Sequence, residues 1–521
     1  MTPDEFRRRG HEVVDWVASY MERVGELPIA PAVEPGEIRA KLPADAPEEP
    51  EPFEALLRDL DEVVLPGITH WQAPGWFSYF PANASPPSIL AELVSAGLGA
   101  QGMLWSSSPA LTEIEAHVLD WLVDLLGLPQ HFKTATGPGG GVIQMSASDS
   151  THLVHVVARD EAIRAGAARD GLVAYGSSQA HSSVERGANI AGFAHVRKLA
   201  VDDAFALKPE ALRQAVADDR AAGLHPTIVT SAIGTTGTGA VDPIGAITDI
   251  AQEHGLWHHV DAAWAGSAML CEEHRPKQAG AERADSYTFN PHKWLFTNFD
   301  CNVLWVADRA PLLETLSILP PYLRNAATES GEVIDYRDWH VSLGRRFRAL
   351  KLWWVLRSYG AQGLRALLRE HVALARELGR RVDEHDRLER VAPVSFALVC
   401  FRHADGNDAT DALAAAVNAE PTLSVTPSTV GDTRFVRVWP IATRMKRVSP
   451  TVEGVTASVG SALIAAASAS VASLPSAWRK HTSENETGAM RSSRGCASTR
   501  RPSSSASAMC SRSRPRSPSA P

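Results

Sequence analysis

The sequence predicts an α/β protein: a central, mostly parallel sheet flanked by helices, plus an N-terminal helical segment and a small C-terminal α+β domain. Three observations lead there. Short apolar, β-rich runs recur through the middle of the chain, helical runs separate several of them, and helical patterns resume on either side.

At the N-terminus, Val13, Val14, Val17, Met21 and Val24 recur at helical spacing and mark an amphipathic helix. "LPIAPAVEPGEIRAKLPADAPEEPEP" is rich in Pro and Glu and reads as an extended connector. A second amphipathic stretch, Phe53 to Leu65, leads into "THWQAPGWFSYFPANASPP", an aromatic cluster that suits core packing or a pocket wall equally. Residues 1–85 thus form a helical arm and connector. From about Ile89 to Leu126 the pattern is helical, and Glu113 and Glu115 stand near the start of "TEIEAHVLDWLVDLLGLP", where acids favour the helix dipole. The strand-like runs are "GLVAYGSS", "HVRKLAV", "PTIVTSAIG", "GLWHHVDAA", "DSYTFNP" and "CNVLWVAD", with helices such as "PEALRQAVADDRAAG" and "PIGAITDIAQEHG" between them. Helical sequence returns at Arg345 to Ser358, closing a large domain of residues 86–360, and a smaller α+β domain is expected over 361–474. Residues 475–521 are Ser- and Arg-rich, and from Arg491 onward no acidic residue occurs. That composition suits a basic nucleic-acid arm or a disordered tail. Its inability to bury a core favours the tail.

Of 521 residues, 44% are apolar and 21% charged, and the formal net charge of -9 gives no overall attraction to nucleic acid or an anionic membrane. Five Cys stand far apart without a CxxC pair, so neither a zinc knuckle nor a disulfide scaffold is expected and a reducing cytoplasm fits. "MTPDEFRRRGHEVVDW" lacks the apolar core of a signal peptide, and Val459 to Leu474 falls short of the ~20 apolar residues that span a bilayer.

In open α/β sheets ligands bind beyond the carboxyl ends of the strands, so the residues there come first. "GLWHHVDAAWAG" ends an apolar run on Asp261, either a helix-capping acid or a buried carboxylate in need of a cation. "SYTFNP" then delivers Asn290, Pro291, His292 and Lys293. A Lys there is either an ordinary surface cation or, desolvated, an amine nucleophile able to form a Schiff base. "GPGGGVIQMSASDS" reads as a flexible Gly loop and a Ser-rich helix start, a plain loop or a phosphate cradle with Ser146 and Ser148 as added donors. His181 precedes Ser182-Ser183-Val184-Glu185, which fits a Ser-x-x-Glu capping box. Thr235 and Thr236 in "SAIGTTGTGAVDP" close another strand in a turn. Together these are the parts of a pyridoxal phosphate site: a phosphate cradle, a Schiff-base Lys, an acid for the pyridine nitrogen and a ring-stacking His.

The chain resembles the aromatic-L-amino-acid decarboxylases, the group II pyridoxal-phosphate-dependent decarboxylases. "WFSYFPANAS", "SSSPALTEIEAHVLDWL", "GGGVIQMSAS", "AHSSVERG", "HVDAAWAGSA", "FNPHKWLFTNFDC", "PLLETLSILPPYLR" and "DYRDWHVSLGRRFRALKLWWVLRSYG" carry the likeness, in order from about residue 5 to 440. The resemblance implies the fold type I (aspartate aminotransferase-like) architecture and a homodimer with active sites at the subunit interface. It implies pyridoxal 5'-phosphate linked to Lys293, with Asp261 on the pyridine nitrogen, His181 on one ring face and Ala263 on the other. Ala147, Ser148 and Asn290 would hold the phosphate with help from His292, and Thr236 would lie near the ring. Tyr322 matches the mobile-loop Tyr that protonates the α-carbon in the neighbouring subunit's site. Phe at that position goes with oxidative deamination to an aldehyde, so Tyr322 implies plain decarboxylation.

Trp71, Tyr79, Phe80 and Pro81 match the family's aromatic-binding wall. Ala82 stands where a Thr commonly meets a catechol hydroxyl, and Gln101 and Met103 replace apolar or aromatic residues. Gly344 matches the small residue that admits indole rings. The missing hydroxyl favours tryptophan or phenylalanine over dopa. An aromatic acetaldehyde synthase and a non-catalytic relative are the alternatives. "WPIATRMKRVSPTVEGVTASVG" follows the family's last strand and helix only loosely, and beyond Leu474 the likeness ends.

Overall fold

Seven strands make the central sheet: β1 (Gly140–Gln144), β2 (Leu172–Ser177), β3 (His195–Leu199), β4 (His225–Ala232), β5 (Trp257–Asp261), β6 (Ser286–Phe289) and β7 (Asn302–Val306). Their spatial order is β1-β7-β6-β5-β4-β2-β3. The block β3-β2-β4-β5-β6 is parallel, and β7 runs antiparallel to both β6 and β1. All six strands expected from the apolar runs are present. The computed structural model describes residues 1–80, 84–318 and 333–441, so Pro81, Ala82, Tyr322, the loosely matching C-terminal stretch and the Ser/Arg-rich tail lie outside the described residues. All described residues belong to one compact unit, Met1–Ser470.

β1 departs from the sequence reading, which made its glycines a flexible loop. Gly140 and Gly141 instead open a wholly buried strand, with Gly139 directly before it. A Cβ on Gly141 would sit 2.7 Å from the Trp305 indole nitrogen, and one on Gly139 would sit 2.0 Å from the Val306 carbonyl oxygen. These glycines serve close approach to β7, not mobility.

The helices are α1 (Pro3–Arg23), α2 (Glu37–Lys41), α3 (Phe53–Asp59), α4 (Pro86–Leu98), α5 (Pro109–Leu126), α6 (Ala147–Arg164), α7 (Ser182–Ala191), α8 (Pro209–Ala221), α9 (Ile244–His254) and α10 (Pro291–Trp294). α2 interrupts the connector expected to be extended. Alternate strand residues point to opposite faces of the sheet. Ala174, Ile228, Trp257 and Leu304 pack with Leu153, Val154 and Val157 of α6. Val173, Tyr175 and Val229 pack with Leu212 and Val216 of α8 and Ile247 and Ile250 of α9. The result is a three-layer arrangement. A long helix, Arg348–Asp383, breaks at Gly360 and leads to an antiparallel sheet of β8 (Leu388–Arg390), β9 (Val399–His403), β10 (Thr426–Val430) and β11 (Thr433–Val438) in the order β10-β11-β9-β8.

Glu113 and Glu115, expected to favour the helix dipole, lie beyond the first turn of α5 and have specific partners instead. Glu113 accepts from the Trp105 indole N–H at 2.8 Å. Glu115 is buried, pairs with Arg345 at 2.6 Å and accepts the Ile143 N–H of β1 at 2.8 Å. Glu115→Ala leaves the Arg345 guanidinium buried without its carboxylate. The expected loss is about 3–5 kcal/mol of stability, measured as a lowered midpoint in denaturant titration.

Buried titratable groups make stability depend on pH. Burial holds His155 near about 4 and His258 near about 3, both below the ordinary 6.5. Their folded values are depressed, so their contribution is complete above pH 6.5 and is lost as pH falls toward 4. Asp242 and Asp285 are raised by burial to about 6 and oppose this, because they gain protons more readily when folded. The His shifts begin at higher pH and are larger. The denaturation midpoint should therefore fall between pH 7.5 and 5.5, as parallel titrations at the two pH values would record.

Candidate active site

The carboxyl ends of β2, β4, β5 and β6 open onto one cavity of about 200 Å³. Ala147, Ser148, His181, Thr236, Asp261, Ala263, Asn290, His292 and Lys293 all line it. The cofactor-site residues expected from the sequence thus converge on one place, from five different elements and their connections.

One wall is built for an anion. α6 begins at Ala147, and Ser146 caps it, its hydroxyl accepting from the Asp149 N–H and donating to the Asp149 carboxylate at 2.6 Å. Ser146, its hydroxyl engaged as the cap, lines the cavity together with Ala147 and Ser148, so the unpaired first amides of the helix stand at this end of the cavity. Asn290 follows β6, and its Oδ1 accepts from Asn302 at 2.7 Å, which leaves its amide NH2 as the group to offer a ligand. The backbone N–H of Cys301 donates to His292 Nδ1 at 2.9 Å. Burial pushes His292 down to about 3, so the ring is neutral and carries its proton on Nε2.

Lys293 occupies the short helix α10 directly after that wall. Burial pushes its amine below the ordinary 10.5, and Asp261 opposes the shift. A neutral amine is the nucleophilic form. Asp261 ends β5 and is itself buried, with Oδ1 accepting the Ala263 N–H at 2.9 Å.

His181 is the N-cap of α7, where the sequence suggested Ser182 in a capping box. His181 Nδ1 accepts the Ser183 N–H at 3.2 Å and meets the Ser183 hydroxyl at 2.8 Å. Glu185, the box's expected acid, pairs with Lys198 at 2.8 Å instead. Burial lowers the His181 pKa, Asp261 opposes this, and Lys293 adds to it, so the neutral ring holds its proton on Nε2. Ser183, Ala232, Gly234, Trp264 and Phe299 also line the cavity and escaped the sequence reading. Trp264 and Gly234 had a usable signal, since one adjoins Ala263 and the other breaks the strand before Thr235.

The expected substrate residues fall into two groups. Trp71 and Tyr79 stack with ring centroids 6.0 Å apart, and Phe80 packs on Trp264; of these four only Trp264 lines the cavity itself. Gln101, Met103 and Gly344 do not line the cavity. Gln101 Oε1 accepts the Met103 N–H at 2.6 Å, and Gly102 donates to the Arg345 carbonyl at 3.1 Å, so the three lie together near Gly344. Gly344 lines a second cavity with Met145, Asp149, His152, His340 and Arg348.

Residues 35–404 match the pyridoxal-dependent decarboxylase conserved domain. The chain belongs to this family. It is 42% identical over 455 residues to an aromatic-L-amino-acid decarboxylase of Rattus norvegicus, covering 85% of this chain and 94% of that protein. It is 45% identical over 408 residues to a phenylacetaldehyde synthase of Arabidopsis thaliana, covering 77% and 83%. Among solved structures, Oryza sativa TDC with PLP and tryptamine superposes with a TM-score of 0.87 at 36% identity, covering 90% of this chain and 99% of that one. Catharanthus roseus tryptophan decarboxylase in complex with L-tryptophan gives 0.85 at 36% identity with the same coverage. This decarboxylase is therefore a carboxy-lyase of fold type I whose cofactor is pyridoxal phosphate.

The cavity fits that cofactor on its own chemistry. A cradle of helix amides, the Asn290 amide and His292 Nε2 suits a phosphate. An amine with depressed basicity suits an aldehyde, and a buried carboxylate suits a cationic ring nitrogen. Lys293→Ala should abolish the visible band of the lysine-linked cofactor. Asn290→Ala should keep the band but raise the cofactor's dissociation constant about tenfold, the loss of roughly one hydrogen bond to a charged group, read by titrating apoprotein with pyridoxal phosphate.

Proposed function

We propose that this decarboxylase removes the α-carboxylate of an aromatic L-amino acid, tryptophan or phenylalanine in preference to dopa, and releases the arylalkylamine and carbon dioxide. The observation that carries the reading is the convergence of Lys293, Asp261, His181 and the phosphate cradle on one cavity beside an aromatic wall. Ala82 in place of a hydroxyl donor and the small Gly344 support the ring preference.

When bound, pyridoxal phosphate supplies an electron sink for the pair left by departing carbon dioxide. The chain's residues do the rest. Burial favours the nucleophilic, neutral form of Lys293, and its Nζ can accept and return protons. Asp261 would hold positive charge on the ring nitrogen, and His181 would cover one ring face. Tyr322 delivers a proton from its hydroxyl to the α-carbon.

We further propose a homodimer in the cytoplasm with the sites at the subunit interface. Gln101, Met103 and Gly344 cluster away from their own cavity, which suits residues that serve a partner's substrate. No residue of α1 is buried, and Val13, Val14 and Val17 line an apolar groove with Ile89, Leu90 and Leu93 that a second copy would cover. Buried free thiols at Cys271, Cys301 and Cys400 suit a reducing compartment, and no helix among the described residues is long and apolar enough to cross a membrane.

The aldehyde synthase reading has one observation in its favour, the strong likeness to a protein of that name. A panel of tryptophan, phenylalanine, tyrosine and dopa, assayed for amine, aldehyde, peroxide and carbon dioxide, separates the two. Amine should match carbon dioxide, fastest with tryptophan or phenylalanine. Stoichiometric peroxide with little amine would overturn the proposal. Tyr322→Phe should move product from amine toward aldehyde and peroxide.

A further inference from the structure

The loop after β4, residues 234–239, presents Gly234, Thr235 and Thr236 to the cavity. Within the loop, the Gly234 and Thr235 amides donate to the Ala240 carbonyl at 3.0 and 2.8 Å, which closes a tight turn. Three of its carbonyls are held by side chains far along the chain. Arg437 Nη1 donates to the Thr236 carbonyl at 2.8 Å, the Cys400 thiol to that of Gly237 at 3.6 Å, and the Ser395 hydroxyl to that of Gly239 at 2.6 Å. Cys400 on β9 and Arg437 on β11 are register partners, and Ser395 precedes β9. On the other side, the Trp264 indole N–H holds the Gly234 carbonyl at 2.5 Å.

Arg437 is the strongest of the three donors. Only 8% of it is exposed, no carboxylate among the described residues pairs with it, and its Nε has no partner. A buried guanidinium is costly to keep, and among the described residues Arg437 directs its hydrogen bond, a charge-assisted one, to a cavity loop.

We propose that Arg437, with Ser395 and Cys400, is a positioning residue that fixes the Thr235–Thr236 wall, making the C-terminal sheet part of the active-site assembly. The inference rests on the proposed decarboxylation only through its kinetic arm. A structural arm stands apart from it.

The test compares full-length holoenzyme carrying Arg437→Met, Arg437→Lys or Ser395→Ala. Amide hydrogen exchange is read at residues 234–240, circular dichroism in the cofactor's absorption band, and kcat and KM with the preferred amino acid. Arg437→Met should speed exchange at 234–240 about tenfold, leave β8–β11 and α6 unchanged, and alter the cofactor dichroism. It should lower kcat/KM on the order of tenfold to a hundredfold, the usual consequence of a slightly misplaced group. Arg437→Lys should recover much of each signal, and Ser395→Ala should shift them in the same direction by less. If Arg437→Met does not fold, Ser395→Ala combined with Cys400→Ala carries the same test. Unchanged exchange at 234–240, or exchange accelerated equally across β8–β11, would overturn the proposal. Local exchange and dichroism changes in a protein that makes no amine would uphold it while the catalytic reading fails.

Discussion

Asp261 and Lys293 enter one buried cavity from neighbouring strands, and the chemistry of the site follows from their opposition. Burial strips basicity from the amine, and Asp261 restores part of it. That balance exists only because the register of the sheet is fixed. Asp261 pairs with Ala232 on one side and Thr288 on the other, and a slip of one residue would turn the carboxylate to the opposite face. The parallel order that brings β4, β5 and β6 together with their carboxyl ends aligned is thus the constraint on which the cavity depends.

A second constraint keeps the phosphate wall aimed. Asn302 on β7 has its amide within hydrogen-bond reach of Thr288 Oγ1, the Phe289 carbonyl and Asn290 Oδ1, at 2.9, 3.0 and 2.7 Å. Its own oxygen accepts the Ser150 hydroxyl from α6. One fully buried side chain therefore ties α6, β6 and β7 at the point where the anion cradle forms, and it decides which way Asn290 presents its amide. Buried polar networks of this kind are costly when incomplete and rigid when satisfied.

Much of this was legible in the sequence because strand ends carry punctuation. Asp261 before small residues, Asn290-Pro291 before Lys293, and paired threonines after an apolar run all mark places where a chain leaves a sheet, and ligands bind there. β1 was not legible, because three glycines signal a loop when read locally, and only the closeness of β7 shows why no side chain fits. The capping role of His181 was hidden for a similar reason, since Ser182 satisfies the usual pattern and the choice of cap depends on where the imidazole is held. Gln101, Met103 and Gly344 show another limit. Their types were informative, but their separation from the chain's own cavity is a matter of tertiary placement.

The contacts on the loop at 234–239 carry that limit furthest. Its tethers come from residues 156, 163 and 201 positions away, and no local pattern announces that Ser395, Cys400 or Arg437 concerns a cavity built by β4 and β5. Contacts of such long range carry a larger loop-closure cost than local ones, so the donors on the C-terminal sheet must be held by that sheet's own packing. β11 thus faces two ways, packing Val436 and Val438 into the core of the C-terminal sheet while its Arg437 reaches the loop beside the cavity.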